Sequence, residues 1–492
     1  MTHTLGFLAR GAFALGLCLA FAVSGDAQNV TASIRGTVTD ASGASVPGAT
    51  VTVHNQATNV DVRSVTTNTT GDYDVPLLPQ GTYTVTISKA EFKSFIAKDV
   101  VLDVGQNRTV NATLATGEVS QSVTVATETT PVQLTTAAQS STITGTQVRE
   151  LELNNRNFEQ LVTLQPGVVS SLPAIVGFGI SNTDSISVNG ARGGANNWMV
   201  DGADINDSGS NLTLLNVPSV DAMDEFTLQR STYDAQYGRS GGGQVQVVTK
   251  SGTSEFHGDA YEFVRNDVFN ANEFFANSAG RARPPLRYNN FGFTFGGPVF
   301  IPDHYNTDKS KTFFFVSEEW RETSLPSTYI ALLPTPAQLS GTFTGQLNPA
   351  SAPAGCITTN AAANTSQISP SCFSKNAQAY IKNVYSKFSA NGPPGTNEFI
   401  NPVNAQNNYR QDMERLDQKI TDRVQVFVRY MQDAVPTTEP GGLFAGEPLP
   451  GISSTATNAP GKNFVAHATA ILSPSIVNEA GFNYSWGRLT AN

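Results

Sequence analysis

Charge is scarce in this chain, and the scarcity removes whole classes of function. Only 14% of the 492 residues are Asp, Glu, Lys or Arg, and the net charge is −10. No basic surface of the kind that grips nucleic acid is built from that balance. Histidine is rarer still, with five in all. Neither H-x-x-E nor H-E-x-x-H occurs, so a zinc-peptidase site lacks its ligands. Cysteines number three. Cys18 lies within an apolar N-terminal run, which leaves Cys356 and Cys372 in one polar Asn/Ala/Ser/Pro segment. They either close a loop disulfide in an oxidising compartment or stand as two free thiols, and the disulfide is the favoured expectation. Long apolar runs are also missing. After residue 27 nothing approaches the length of a spanning helix, so any membrane crossing must be made by strands.

What is abundant is Gly, Thr, Ser, Asn and Val, a composition of short strands joined by turns. The first 27 residues stand apart. Arg10, the apolar "GAFALGLCLAFAV" and the small residues up to Ala27 fit a cleaved secretory signal, so the mature chain is expected to begin at Gln28. Leu17 stands before Cys18 where a lipoprotein signal needs a small residue, which excludes lipid anchoring. From Thr31 to Thr116, Tyr83, Val85 and Ile87 alternate with threonines, and turn signals recur at Ser42-Gly43, Pro47-Gly48, Gly71-Asp72 and Pro79-Gln80-Gly81. Short alternating strands with frequent turns predict a small antiparallel β-sandwich. Tyr73, Tyr83, Phe92 and Phe95 are read as its core, which leaves no aromatic platform for a sugar.

A Thr/Ser/Val linker over 117–147 precedes a second region, 148–252. Asn157 is placed as the cap of a helix over "FEQLVTLQ", with Gln160 at its third position and Pro166-Gly167 as its stop. Asn189-Gly190 and Asp201-Gly202 are hairpin turn signals. Asp201, Asp204 and Asp207 are spaced three apart, with Leu212 where a calcium loop would close on Glu. That spacing does not fit an EF-hand, and solvated turn carboxylates are expected instead. Gly238-Arg239-Ser240-Gly241-Gly242 fits G-x-S-x-G, but a nucleophile elbow needs a helix after the serine. Here Gln244-Val245-Gln246-Val247 alternates as a strand, and glycines next to a strand mark a bulge or a close backbone approach rather than an elbow.

From residue 254 onward one face of each strand is apolar and the other polar. Phe291, Phe293 and Phe295 alternate with Asn290, Gly292, Thr294 and Gly296; Val424, Val426, Val428 and Tyr430 alternate with Arg423, Gln425, Phe427 and Arg429. Strands are expected near 255–266, 287–299, 311–323, 409–419, 422–433, 461–472 and 475–487, with long and short joints alternating between them. That is the pattern of a transmembrane β-barrel, lipid outside and lumen within. The longest joint carries Cys356, Cys372 and a helix over "NAQAYIKNVYSKF".

Specific words carry a resemblance. "IRGTVTDASGASVPGATVTV" and "TTGDYDVPLLPQGTYTVTIS" resemble the carboxypeptidase regulatory-like domain, with Glu91 where that family usually has Gly. "LELNNRNFEQLVTLQPGV", "VNGARGGANNWMVDG", "EFTLQRSTYDAQYGRSGGG" and "VVTKSGTSEFHGDAYEF" resemble the plug of TonB-dependent outer-membrane receptors, Oar-like branch. Asn189, Gly190, Arg192, Asp201, Gly202, Tyr237, Gly238, Gly241 and Gly242 are the plug-motif positions. The fold class implied is mostly β: a sandwich at 31–116, a small α/β plug, then barrel strands over 254–492.

The resemblance implies a transporter rather than an enzyme, with no cofactor, metal or catalytic residue. TonB and its inner-membrane energising complex, outer-membrane lipid, the barrel assembly machinery and a large ligand are the implied partners. Glu118, Val119, Val123, Thr124 and Val125 form the candidate TonB box, which added strand pairing would engage; a plain linker is the equal alternative. A surface protein that binds carbohydrate without transport is the rival function, and the ligand and the direction of transport stay open. Such receptors have twenty-two barrel strands against the seven recognised here, so the chain is expected to be the N-terminal part of a longer protein.

Overall fold

Alternation in the sequence becomes two packed sheets, a mixed plug sheet and a barrel wall. The fold comes from a computed structural model that describes residues 31–126, 137–172, 186–234, 236–272, 285–439, 455–473 and 476–491, with isolated positions between. The expected signal peptide lies outside these residues.

The sandwich comprises β1 (Ala32–Asp40), β2 (Thr50–Asn55), β3 (Val60–Thr66), β4 (Asp72–Leu78), β5 (Gly81–Ser88), β6 (Ser94–Leu102), β7 (Asn107–Thr109), β8 (Ala112–Leu114) and β9 (Ser122–Ala126). One sheet runs β4-β1-β7, with β8 also on β1, and the other runs β3-β2-β5-β6-β9. Tyr83, Val85 and Ile87 are fully buried between them, and Tyr73, Phe95 and Phe92 join the same core. Each such large apolar side chain contributes about 1.5–3 kcal/mol. The sandwich is not purely antiparallel. Strands β7 and β8 both run parallel to β1, and β9 runs parallel to β6. Glu91 stands at φ 74°, in the left-handed region where the resembled family keeps Gly.

The plug sheet holds β10 (Gln139–Thr144), β11 (Asn197–Val200), β12 (Ala203–Asp204), β13 (Met223–Ser231) and β14 (Gln244–Thr249), in the order β10-β13-β14-β11-β12. Two features differ from expectation. Strand β10 lies inside the span assigned to the linker and pairs along β13 from Gln139 to Thr144. Helix α1 (Gly145–Glu150) follows it, with Thr144 and Gln147 forming a reciprocal capping box. The helix expected after Asn157 is a single turn, α2 (Glu159–Val162), whose N-cap is Phe158. Asn157 still accepts the Glu159 N–H at 2.9 Å, one turn position earlier than a helix cap.

The wall is an antiparallel meander, β15 (His257–Asn266), β16 (Arg287–Pro298), β17 (Thr312–Leu332), β18 (Glu398–Thr421), β19 (Val424–Ala434), β20 (Gly461–Ser473) and β21 (Ile476–Gly487), paired in that order. Asn290 and Thr294 are buried while Phe293 and Phe295 are exposed on the same strand, so polar side chains face inward. The described strands form an open sheet, with β15 and β21 at its ends.

Strands β17 and β18 run past their expected ends, so the longest joint shrinks to residues 333–397. Within that joint Cys356 and Cys372 are bonded, with Cα atoms 5.7 Å apart. Its helix α3 (Lys375–Asn383) stops before the expected end, and a 3-10 turn at Tyr385–Lys387 follows.

Candidate functional site at the plug–barrel interface

The Asp201-Gly202 turn is where the plug meets the wall. Both residues have positive φ, 49° and 79°, as a two-residue hairpin turn between β11 and β12 requires. The turn projects Asp201 out of the plug and into the wall, where it is 1% exposed. The expectation of a solvated carboxylate is therefore wrong for Asp201. Its Oδ1 accepts the Thr249 N–H at 2.9 Å and its Oδ2 accepts the Thr249 hydroxyl at 2.8 Å. Arg429 of β19 donates from Nε to Oδ2 at 2.7 Å and from Nη2 to the Val200 carbonyl at 3.0 Å. Arg415 of β18 lies 3.7 Å from Oδ1 and donates to the Thr249 carbonyl at 3.0 Å. Burial opposes ionisation of Asp201, but the two guanidinium groups and the Thr249 bonds outweigh it, and the carboxyl is held below its usual range.

The other two aspartates of the series behave differently. Asp207 accepts the Gly209 and Ser210 N–H groups, each at 2.9 Å, as a turn carboxylate does. Asp204 accepts the Asn206 N–H at 2.7 Å and pairs with Arg239. Among the described residues no cluster of three metal-ligating side chains exists.

A second buried cluster fixes the other flank of the plug. Arg156 pairs with Asp221 within the plug, and its guanidinium sits 4.0 Å over the Phe263 ring of β15. Glu319 of β17 accepts from Tyr261 at 3.0 Å, from Arg321 at 3.0 Å and from the plug's Ser219 at 3.2 Å. Burial raises the Asp221 carboxyl; Arg156 opposes this, while Asp259 and Glu319 add to it. Higher on the wall, Asp433 accepts the Gly461 N–H at 2.8 Å and the Val217 N–H of the plug at 3.3 Å. Residues of the sandwich, plug and wall, among them Val60, Asp201, Val248, Arg415 and His467, line a partly open cavity of about 160 Å3.

The remaining motif positions lie elsewhere in the plug. Asn189 and Gly190 have positive φ, 51° and 78°, but the strand before them, Ile186–Val188, pairs with Val168–Ser170, so the turn links no hairpin. Arg192 is exposed at the start of a 3-10 turn. Tyr237 is buried, and a side chain at Gly242 would come within 2.9 Å of the Ala195 carbonyl. No atom lies within 4 Å of a Cβ placed at Gly238 or Gly241, so close packing does not explain those two. The Ser240 hydroxyl donates to the Ala195 carbonyl, tying the glycine loop to the start of β11.

Sequence reasoning missed Arg415 and gave Arg429 no role beyond the polar face of its strand. A register shift between Lys419 and Thr421, just before the turn that joins β18 to β19, sets Arg415 directly opposite Arg429. Asp417 of β18 pairs with Arg415 at 2.9 Å, and Asp201 supplies the carboxylate for Arg429.

Comparison with known proteins gives the following. Residues 33–115 match the carboxypeptidase regulatory-like domain, residues 132–245 the TonB-dependent receptor plug domain, and residues 248–492 the outer membrane beta barrel domain. The TonB-dependent transporter Oar of Myxococcus xanthus is 26% identical over 242 residues, which is 47% of this chain and 21% of that protein. Among solved structures, the outer membrane transporter YddB from Escherichia coli is 11% identical, with a TM-score of 0.42 over 70% of this chain and 38% of that one. The siderophore receptor PirA from Acinetobacter baumannii is 13% identical, with a TM-score of 0.41 over 72% of this chain and 40% of that one. The chain thus spans less than half the length of each of these proteins.

Proposed function

As a member of the TonB-dependent receptors of the Gram-negative outer membrane, the chain holds a plug against a barrel wall, and we propose that it imports a ligand too large for passive pores. The outer membrane holds no nucleotide or ion gradient, so TonB and its inner-membrane complex supply the energy. The sandwich and plug face the periplasm, and the long connections, with the Cys356–Cys372 loop, face outward to meet the ligand. The barrel assembly machinery inserts the wall into lipid. The protein catalyses no reaction of its own.

One observation carries this reading: Asp201 is buried between Arg415 and Arg429. A plug fixed only by apolar packing would leave through a graded slide. A buried, paired carboxylate gives two states, because separating Asp201 from Arg429 leaves buried charges uncompensated, even though Arg415 keeps its pair with Asp417. Such a latch keeps the lumen shut until an applied pull breaks it. The rival reading of a carbohydrate-gripping sandwich finds no support in Tyr73, Tyr83 or Phe95, which lie in the core.

The test is genetic. Strains lacking this gene and strains lacking TonB are grown on iron chelates, oligosaccharides or peptides as the limiting nutrient. Import predicts one medium in which both strains fail alike, and that medium names the ligand class. If losing the gene never reproduces any defect of losing TonB, import is wrong.

A further inference from the structure

The segment Glu118–Ala126 does not hang free between sandwich and plug. Its second half is β9, the edge strand of the five-stranded sandwich sheet, paired in parallel from Ser94↔Ser122 to Lys98↔Ala126. Its first half is folded into a turn, with the Gln121 N–H on the Glu118 carbonyl at 2.9 Å. Three further bonds hold that turn on the sandwich. The Ser94 N–H donates to the Gln121 carbonyl at 2.8 Å, the Ser94 hydroxyl donates to the Val119 carbonyl at 2.8 Å, and the Gly117 N–H donates to the Glu91 carbonyl at 3.0 Å.

From this we propose that Glu118–Ala126 is the TonB-binding segment and that the sandwich acts as an internal competitor for it, an inference that rests on the import function proposed above. A partner strand that pairs along Glu118–Ala126 needs the whole segment extended. In the docked state only Ser122–Ala126 is extended, and Glu118–Gln121 is bent back toward β6. TonB must therefore strip the segment from β6 before it pairs along its full length. The docking is weak enough to allow that. It is one short edge strand with a single neighbour, and Val119 and Val123 keep 44% of their surface exposed. Edge segments with few buried apolar contacts open at low free energy. Docking also covers the β6 edge, which would otherwise offer a row of unpaired backbone groups to other chains.

The competition has a mechanical side. Residues 127–136 connect β9 to β10, the first strand of the plug. While β9 stays on β6, a pull on the segment loads the sandwich rather than β10. Release from β6 thus comes before force reaches the plug.

A reversible staple tests this. Ile96 and Thr124 stand opposite each other in the β6–β9 register, and Ile96→Cys with Thr124→Cys can be joined by oxidation in the full chain in membranes. Binding of the periplasmic C-terminal domain of TonB is then measured oxidised and reduced, beside the unaltered chain under both conditions. The expected result is a loss of at least about tenfold in affinity on oxidation, restored by reductant, with the unaltered chain unchanged. Ser94→Ala, which removes the bond to Val119, should raise affinity by roughly two- to tenfold, as loss of one competing hydrogen bond implies. Equal affinity with and without the staple would overturn the competition and leave import standing. No TonB binding by any form, reduced or unaltered, would overturn import and the competition together.

Discussion

At the scale of single residues, Asp201 is the plug carboxylate that pairs with two arginines of the wall, and its loss should weaken docking. Asp201→Asn keeps the shape and still accepts from Thr249, but it leaves Arg429 without its carboxylate, while Arg415 keeps Asp417. Removing one partner of a buried pair costs about 3–5 kcal/mol. The variant should release its plug to trypsin at a much lower urea concentration than the parent. Adding Arg429→Met should recover most of the loss; an unchanged single variant would mean the latch contributes nothing. The pH dependence follows from the depressed carboxyl. Its stabilisation is complete above the ordinary value of about 3.9 and is lost only as pH falls through the lower folded value. Latch strength should therefore be flat from pH 8 to 5. Glu91 offers a gain instead. At φ 74° a Cβ-bearing residue is strained, and Glu91→Gly should stabilise the sandwich by about 1 kcal/mol, read as a rise in its thermal midpoint.

At the scale of elements, the wall tests the two-faced strand argument. Phe314, Leu416, Val428, Ala466 and Phe482 lie in one cross-strand row on the outer face. Val428→Arg should cost about 2–4 kcal/mol in folding from denaturant into lipid, the penalty for a lipid-facing cation near the midplane. Gln425→Arg, on the inward face of the same strand, should cost far less. Equal costs would mean the faces are assigned wrongly. These strands were legible because alternation is a local signal, repeated over ten or more residues. Strand β10 was not: in "QSSTIT" only Ile143 is buried, and the strand exists because β13 needs a neighbour. Strands β7 and β8 are three residues each, too short for a period to show. The same limit hid the site. The Asp201-Gly202 turn is written in two adjacent residues, but its partner Arg429 lies 228 positions away. The meeting of Arg415 and Arg429 was hidden as well, because it depends on a register shift between Lys419 and Thr421.

At the scale of the whole molecule, three bodies are joined by two kinds of carboxylate contact, and the two respond differently to acid. Plug and wall are joined through ionised Asp201. Sandwich and plug are joined through Glu225, whose Oε1 accepts the Val104 N–H at 2.5 Å beside the buried Val104–Val248 contact. Burial pushes the Glu225 carboxyl well above its ordinary value, and Asp103 and Asp224 nearby push it further; the Val104 N–H opposes them. The folded state therefore binds this proton more tightly than the unfolded chain does. Its contribution to stability is greatest below the ordinary carboxyl value and declines as pH rises toward the raised folded value. Acidification from pH 7 to 5 should thus tighten the sandwich–plug joint while the latch to the wall stays as it was. Glu225→Gln keeps an acceptor for Val104 without a charge, so its joint should be tighter at pH 7 and insensitive to pH over that range. The measurement is hydrogen exchange at the Val104 and Val248 amides, corrected for the intrinsic rate at each pH. Protection that falls on acidification in the parent, or a Glu225→Gln chain that keeps the parent's pH dependence, would show that Glu225 does not govern the joint.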